Sequence, residues 1–176
     1  MTDTDMTKEH GQLVATGTVE PEWIDLNGHM NVAYYLLAFD KGVDALWTRA
    51  GITDEYVAER KQSTFAVEAH VTYQRELHEG DPYRVTAQIL AIDDKRLHQF
   101  QRLYHAEKGF LAATAEWLNL HVNLETRRVC PWPDDILNGF TDIAQMQSDR
   151  EIPQELGKRM DISRPLFSLG GYSARE

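Results

Sequence analysis

A chain of 176 residues is long enough for one domain with its own core, and 28 acidic against 18 basic side chains set its net charge at -10, which argues against nucleic acid held on a broad basic surface. Its single cysteine, Cys130, excludes an internal disulfide and a thiolate metal cluster, and points to a buried, inert thiol in a reducing cytoplasm. Residues 1–10 lack the apolar stretch of a secretion signal and no later run approaches membrane-spanning length, so a cytoplasmic protein with no membrane partner is expected.

In chain order, Gln12 to Val19 alternates loosely and suits a first strand, which Pro21 ends because proline cannot donate to a ladder. From Val32 the apolar side chains recur at Tyr35, Leu36, Phe39, Val43, Leu46, Trp47 and Ala50, the spacing of one helical stripe. Asn31 is placed to cap its start and Gly51 its end. Gly42 inside it costs about 1 kcal/mol relative to alanine, which implies close packing at that point. Asp54 to Lys61 suits a short second helix.

From Ser63 the period becomes two, with Phe65, Val67, Ala69, Val71 and Tyr73 on one face and Thr64, Glu68, His70 and Thr72 on the other. Gly80-Asp81-Pro82 breaks that strand. Tyr83 to Ala91, Leu97 to Ala106 and Phe110 to Val122 read as further antiparallel strands joined by short turns. Pro131 to Asp134 starts a last helix running to about Met146. The charged, proline- and glycine-containing tail from about 149 to 176 is expected to be poorly ordered, like residues 1–10. One domain spanning 1–176, α+β with a helix packed on one face of an antiparallel sheet that curls around it, follows from this order.

The stretch from Trp23 to Asn31 carries the densest chemistry. Asp25, Asn27 and His29 stand at every second position and supply an ionised acceptor, a neutral donor and acceptor, and a group that exchanges protons near neutrality. A turn needs one such residue, not an alternating trio. The histidines that follow, His70, His78, His98, His105 and His121, lack paired ligand spacing, so no metal is expected.

Strand, Asp25-Leu26-Asn27-Gly28-His29-Met30-Asn31, long helix and strand meander together resemble a hotdog-fold acyl-CoA thioesterase of the 4-hydroxybenzoyl-CoA thioesterase type, over roughly Gln12 to Val122. Tyr73-Gln74-Arg75-Glu76 is similar to a segment of plant-type acyl-carrier thioesterases. The resemblance implies hydrolysis of an acyl-CoA thioester with Asp25 as base or nucleophile, Asn27 orienting water or carbonyl, His29 holding the geometry or donating a proton, and Glu76 as fourth member. Strict alternation puts Glu76 on the wrong face, so it joins the site only if its strand ends or bulges first; otherwise it is a solvated partner of Arg75 or His78. The helix start from Asn31 to Ala33 offers N–H groups to an oxyanion.

The resemblance further implies a homo-oligomer, a dimer or a dimer of dimers joined at sheet edges, with no cofactor beyond the coenzyme A of the substrate. Trp23, Asn31 and Tyr35 are candidates for substrate contact, and Arg96 and Arg102, with Arg84 and Lys95, for its phosphates. Leu97 to Thr114 resembles the thioesterases of carnitine breakdown, which act on betainyl-CoA; its quaternary ammonium calls for an aromatic cage or a carboxylate, with Trp23, Trp47, Trp117 and several tyrosines available. The rivals are an enoyl-CoA hydratase, whose D-x-N-P-x-H pattern differs from the spacing here, and a noncatalytic acyl-CoA-binding module.

Overall fold

The computed structural model describes residues 11–158 and 160, so the expected loose ends at 1–10 and 161–176 lie outside the described residues. The described elements are β1 (Gln12–Thr18), a single 3-10 turn (Pro21–Trp23), α1 (Val32–Ala50), α2 (Asp54–Arg60), β2 (Gln62–Tyr73), β3 (Pro82–Ile92), β4 (Arg96–His105), β5 (Leu111–Asn123), β6 (Arg128–Val129) and α3 (Asp134–Gln145). The strands pair antiparallel in the order β1-β3-β4-β5-β2, with β6 beside β5. α1 touches β1, β3, β4 and β5 in turn, so the sheet wraps the helix as expected for the hotdog fold. No helix among the described residues is long and apolar enough to cross a membrane.

α1 begins where Asn31 Oδ1 accepts from the Ala33 N–H at 3.0 Å and ends at Gly51, whose φ of 100° only glycine adopts without strain. Its buried stripe contains Tyr35, Phe39, Val43, Leu46, Trp47 and Ala50 as expected, but takes Ala38 and leaves Val32 and Leu36 exposed. Gly42 is needed for close approach: a Cβ there would lie 2.9 Å from Val14 Cγ2 and 3.4 Å from the Gln101 amide. The gap admits the buried Gln101 amide to the helix backbone, where its nitrogen donates to Phe39 O (3.0 Å) and its oxygen accepts from Val43 N–H (3.3 Å).

Two expectations are corrected. In β2 the single apolar face is broken by a register shift between Ala66 and Glu68: Ala69, Val71 and Tyr73 stand opposite Trp117, Ala115 and Ala113, whereas Phe65 stands opposite Leu120, on the other face of β5. One inserted residue reverses every side chain before it. The tail is also better anchored than its composition suggested. After α3, Gln147 to Gly157 lies along the outer face of the sheet, where Arg102 holds Glu155 (2.8 Å), Gln88 Nε2 donates to Glu151 O (3.1 Å) and Gly157 N–H donates to Glu116 Oε2 (3.0 Å). Beyond the last β1 pairing at Ala87, the Gln147 amide accepts from Ile89 N–H (2.9 Å) and donates to Ala87 O (3.3 Å), taking the place of a neighbouring strand.

Candidate active site

Between Ile24 and Met30, joined by a single antiparallel bridge, the chain folds into a closed turn. Asp25 N–H donates to His29 O (3.1 Å), Gly28 N–H donates to Asp25 O (3.0 Å), and Asp25 Oδ1 accepts from Asn27 N–H (2.8 Å), with Gly28 at φ 80°. The Asp25 carboxylate therefore organises its own turn, as Asx residues do, while remaining half-exposed. Asn27 is exposed. His29 Nδ1 lies 3.2 Å from Met30 O, which only a protonated Nδ1 satisfies; in the neutral ring Nε2 is then the free acceptor.

One backbone bond docks this turn on the segment after β2, and a side-chain bond ties the same segment to α1. Met30 N–H donates to Leu77 O (2.7 Å), and Leu77 N–H donates to the Tyr35 hydroxyl (3.0 Å). β2 has already ended at Tyr73, and the N–H groups of Gln74 and Arg75 share Ala112 O (2.8 and 3.1 Å). The strand thus stops before Glu76, the condition for that side chain to turn toward the motif. A cleft of about 300 Å³ results, lined by His29, Met30, Val32, Tyr35, Tyr73 and the chain from Gln74 to Glu76. Glu76 itself is well exposed, with Oε2 3.9 Å from His78 Nε2. The Arg75 guanidinium is drawn away over the Phe110 ring at 4.1 Å.

Tyr35 and Tyr73 meet edge to face in this cleft, 5.4 Å apart at 77°. Burial pushes the Tyr35 hydroxyl above its ordinary value, the Leu77 bond offsets part of that, and the negative charges of Glu76 and Asp81 raise it further. Tyr73 was not singled out as a site residue from the sequence, although it opens the Tyr73-Gln74-Arg75-Glu76 segment.

Other candidates stand apart. Asp25 does not line the cleft, so within one chain the structure brings His29, Tyr35 and Glu76 together but not Asp25 with them. Asn31 works as the helix cap. Trp23 is core, stacked on Tyr34 (5.3 Å, 8°) with the Lys41 ammonium 5.3 Å from its ring. The cations expected to hold phosphates already have partners: Arg96 pairs with Asp93 (2.6 Å), Arg102 with Glu155 (2.8 Å), Lys95 with Asp94 (3.7 Å), and Arg84 lies over Tyr104 at 4.4 Å. The Arg96 hydrogen bond holds the Asp93 carboxyl down at about 2. Among the described residues no cluster of His, Cys, Asp or Glu is placed to hold a metal ion.

Residues 19–140 match the thioesterase-like superfamily. The chain is 34% identical over 140 residues to the betainyl-CoA thioesterase of Pseudomonas aeruginosa, covering 80% of this chain and 88% of that one. It is 36% identical over 145 residues to the L-carnitine dehydrogenase/betainyl-CoA thioesterase of Ruegeria pomeroyi, covering 82% of this chain but 29% of that longer protein. Among solved structures, a Staphylococcus aureus protein in complex with CoA superposes with a TM-score of 0.80 at 32% identity, over 87% of this chain and 97% of the other.

Proposed function

The chain belongs to the thioesterase-like superfamily and hydrolyses acyl-CoA thioesters, and from that premise we propose that its substrate is betainyl-CoA, with Asp25, Asn27 and His29 as the hydrolytic group. The observation that carries the reading is the docking of the Asp25–His29 turn onto Leu77 by the Met30 bond, which sets that motif beside an open cleft at the start of α1. The 34% identity to a betainyl-CoA thioesterase supports the acyl group.

In the general-base route Asp25 takes a proton from water as the water oxygen bonds to the thioester carbonyl carbon; the C–S bond then breaks and the proton passes to the departing CoA thiolate. In the nucleophilic route the Asp25 carboxylate attacks the carbonyl carbon, the C–S bond breaks with departure of the CoA thiolate, and water cleaves the resulting mixed anhydride, which frees the acid, restores the carboxylate and gives up a proton to the thiolate. Both build an oxyanion. At the first turn of α1 the Ala33 N–H is engaged by Asn31 Oδ1 and the Tyr34 N–H by Asn31 O, so Val32 N–H, on the rim of the cleft, is the donor assigned to it. Asn27, exposed at the tip of the turn, orients water or the carbonyl, and His29 Nε2 relays or holds a proton.

Asp25 meets the cleft through assembly in this reading. β2 is an edge strand with Val67 exposed. Pairing of β2 with β2 of a second copy covers that open edge and completes the site from two chains. The lone thiol, Cys130, is half-buried rather than fully buried as expected, and desolvation raises its pKa; a single cysteine with no disulfide partner fits the cytoplasmic setting of this reading.

The test is CoA thiol release across short, branched, aromatic and betainyl esters. Asp25→Asn keeps an oxygen for the Asn27 N–H, so it stays folded while turnover of the best ester falls by about 10²-fold or more. Near-native turnover in that variant removes Asp25 from the reaction.

A further inference from the structure

We propose that Tyr73 and Glu76, with buried Tyr35 braced behind the Tyr73 ring, form the subsite for a cationic acyl group, so that selectivity for a quaternary ammonium thioester lies at the rim of the cleft rather than in any tryptophan. The proposal rests on the acyl-CoA hydrolase reading above and moves Glu76 from the hydrolytic set to substrate recognition.

The tryptophans are committed elsewhere. Trp23 is sandwiched into the core with a resident cation, Lys41, already against its ring, so a second cation would meet like charge. Trp47 is buried edge-on against Phe140 at 5.2 Å, and Trp132 is buried against the same ring and stacked on His121 at 4.6 Å. Trp117 borders a different hollow of about 550 Å³, where the Glu116 carboxylate is already satisfied by His98 (2.9 Å) and the Gly157 N–H (3.0 Å).

In the cleft the same chemistry is unspent. The Tyr35 and Tyr73 rings stand nearly perpendicular, making a corner, and each is pinned by its hydroxyl: Tyr35 by the Leu77 N–H at 3.0 Å, Tyr73 by donating to Val32 O at 3.4 Å. Ring faces fixed in advance cost little ordering when a cation arrives. Tyr73 is 50% exposed and presents the open ring, whereas Tyr35, 4% exposed, braces it from the core. Glu76 supplies a carboxylate on the same rim; its contact to His78 is long, at 3.9 Å, and the neighbouring cation, Arg75, is held over Phe110.

The position suits the reaction as well. In a betainyl thioester the charged nitrogen is two bonds from the carbonyl carbon, so its subsite must adjoin the point of attack. The start of α1, at Val32, favours the oxyanion and by the same dipole repels a cation. A cation held so close to that helix end needs a carboxylate and an aromatic face near it, and Glu76 and Tyr73 line the same cleft as Val32.

The decisive measurement compares kcat/KM for betainyl-CoA with that for 3,3-dimethylbutyryl-CoA, which has the same shape with carbon in place of the charged nitrogen. Intrinsic ester reactivity is common to all variants, so the change in this ratio between native and variant protein reports recognition alone. Tyr73→Leu and Glu76→Gln are each expected to lower the ratio about tenfold, while Tyr73→Phe, which keeps the ring, holds it near the native value. If either Tyr73→Leu or Glu76→Gln slows the two esters equally, that residue serves the thioester itself and the proposal is overturned. If the native protein hydrolyses other esters but not betainyl-CoA, the cation subsite fails and the hydrolase reading stands. If no ester is hydrolysed, both fail together.

Discussion

Tyr35→Phe isolates one oxygen that ties the turn to the cleft. The Leu77 N–H, on a residue with no exposed surface, has the Tyr35 hydroxyl as acceptor at 3.0 Å. Phenylalanine fills the same space without that acceptor, so no cavity opens and the loss is that of an orphaned buried donor. Such losses run about 1–3 kcal/mol; relief of burying the hydroxyl itself trims this to about 1.5 kcal/mol, which for a chain of this length lowers the melting midpoint by roughly 3–6 °C. Because Leu77 O also receives the Met30 N–H at 2.7 Å, the variant loosens the seam between His29 and Glu76, and kcat falls with it. The ring is retained, so the preference for a cationic ester persists. Thermal unfolding at fixed protein concentration gives the first number, and amide hydrogen exchange at Leu77 gives the second. A midpoint within about 1 °C of native, with Leu77 protected as before, would refute the claim that this hydroxyl holds the seam.

Other expectations follow from packing and charge. Gly42→Ala gains about 1 kcal/mol of helix propensity but forces a Cβ to 2.9 Å from Val14 Cγ2 and against Gln101, an overpacking cost of about 1–3 kcal/mol; urea unfolding should show a net loss, and a stabilised variant would mean that the contact is slack. Glu155→Gln leaves Arg102 buried without its anion and should cost about 1–3 kcal/mol, read as faster proteolysis within residues 149–158. Burial pushes the Glu155 carboxyl up but Arg102 outweighs it and holds the folded value below 4.5, so this contact is intact above that pH and is lost as pH falls from 4.5 to the lower folded value. His121 is held neutral chiefly by burial, against the pull of the Cys130 and Pro131 carbonyls, below its ordinary 6.5. The unfolded chain therefore takes up the proton first, and stability should decline as pH falls below 6.5 toward the folded value; in His121→Gln that part of the slope should vanish, and its persistence would assign it to another group.

What could be read in advance was whatever depends on neighbours in sequence. The α1 stripe, its Asn31 cap, its Gly51 stop and the close contact at Gly42 all follow from local periodicity and backbone freedom. The Asp25–His29 turn was legible for the same reason. The face of Phe65 was not, because one inserted residue in β2 leaves hydrophobic alternation looking continuous while reversing its direction. The partners of Arg102 and Gln88 were hidden by distance: both are met by a tail whose composition resembles a loose end. Trp23 reads as a ligand-facing aromatic beside Asp25 until α1 supplies Tyr34 and Lys41 around it. For Glu76 the outcome turned on where β2 ends, and that is fixed by two N–H groups converging on Ala112 O, a partner 37 residues further along.

The two borders of the sheet are unequal, and that sets a limit on growth. β1 is seven residues long and irregular between Leu13 and Ala15, so it offers a second chain little regular backbone to bind. β2 is twelve residues long and runs without interruption from Glu68 to Tyr73. Joining β2 to its own copy would consume the long border of both molecules at once and leave only a β1 at each end of the combined sheet. Along its edges such a sheet would stop at two chains, because the border that could carry it onward into a ribbon is too short and too bent to do so.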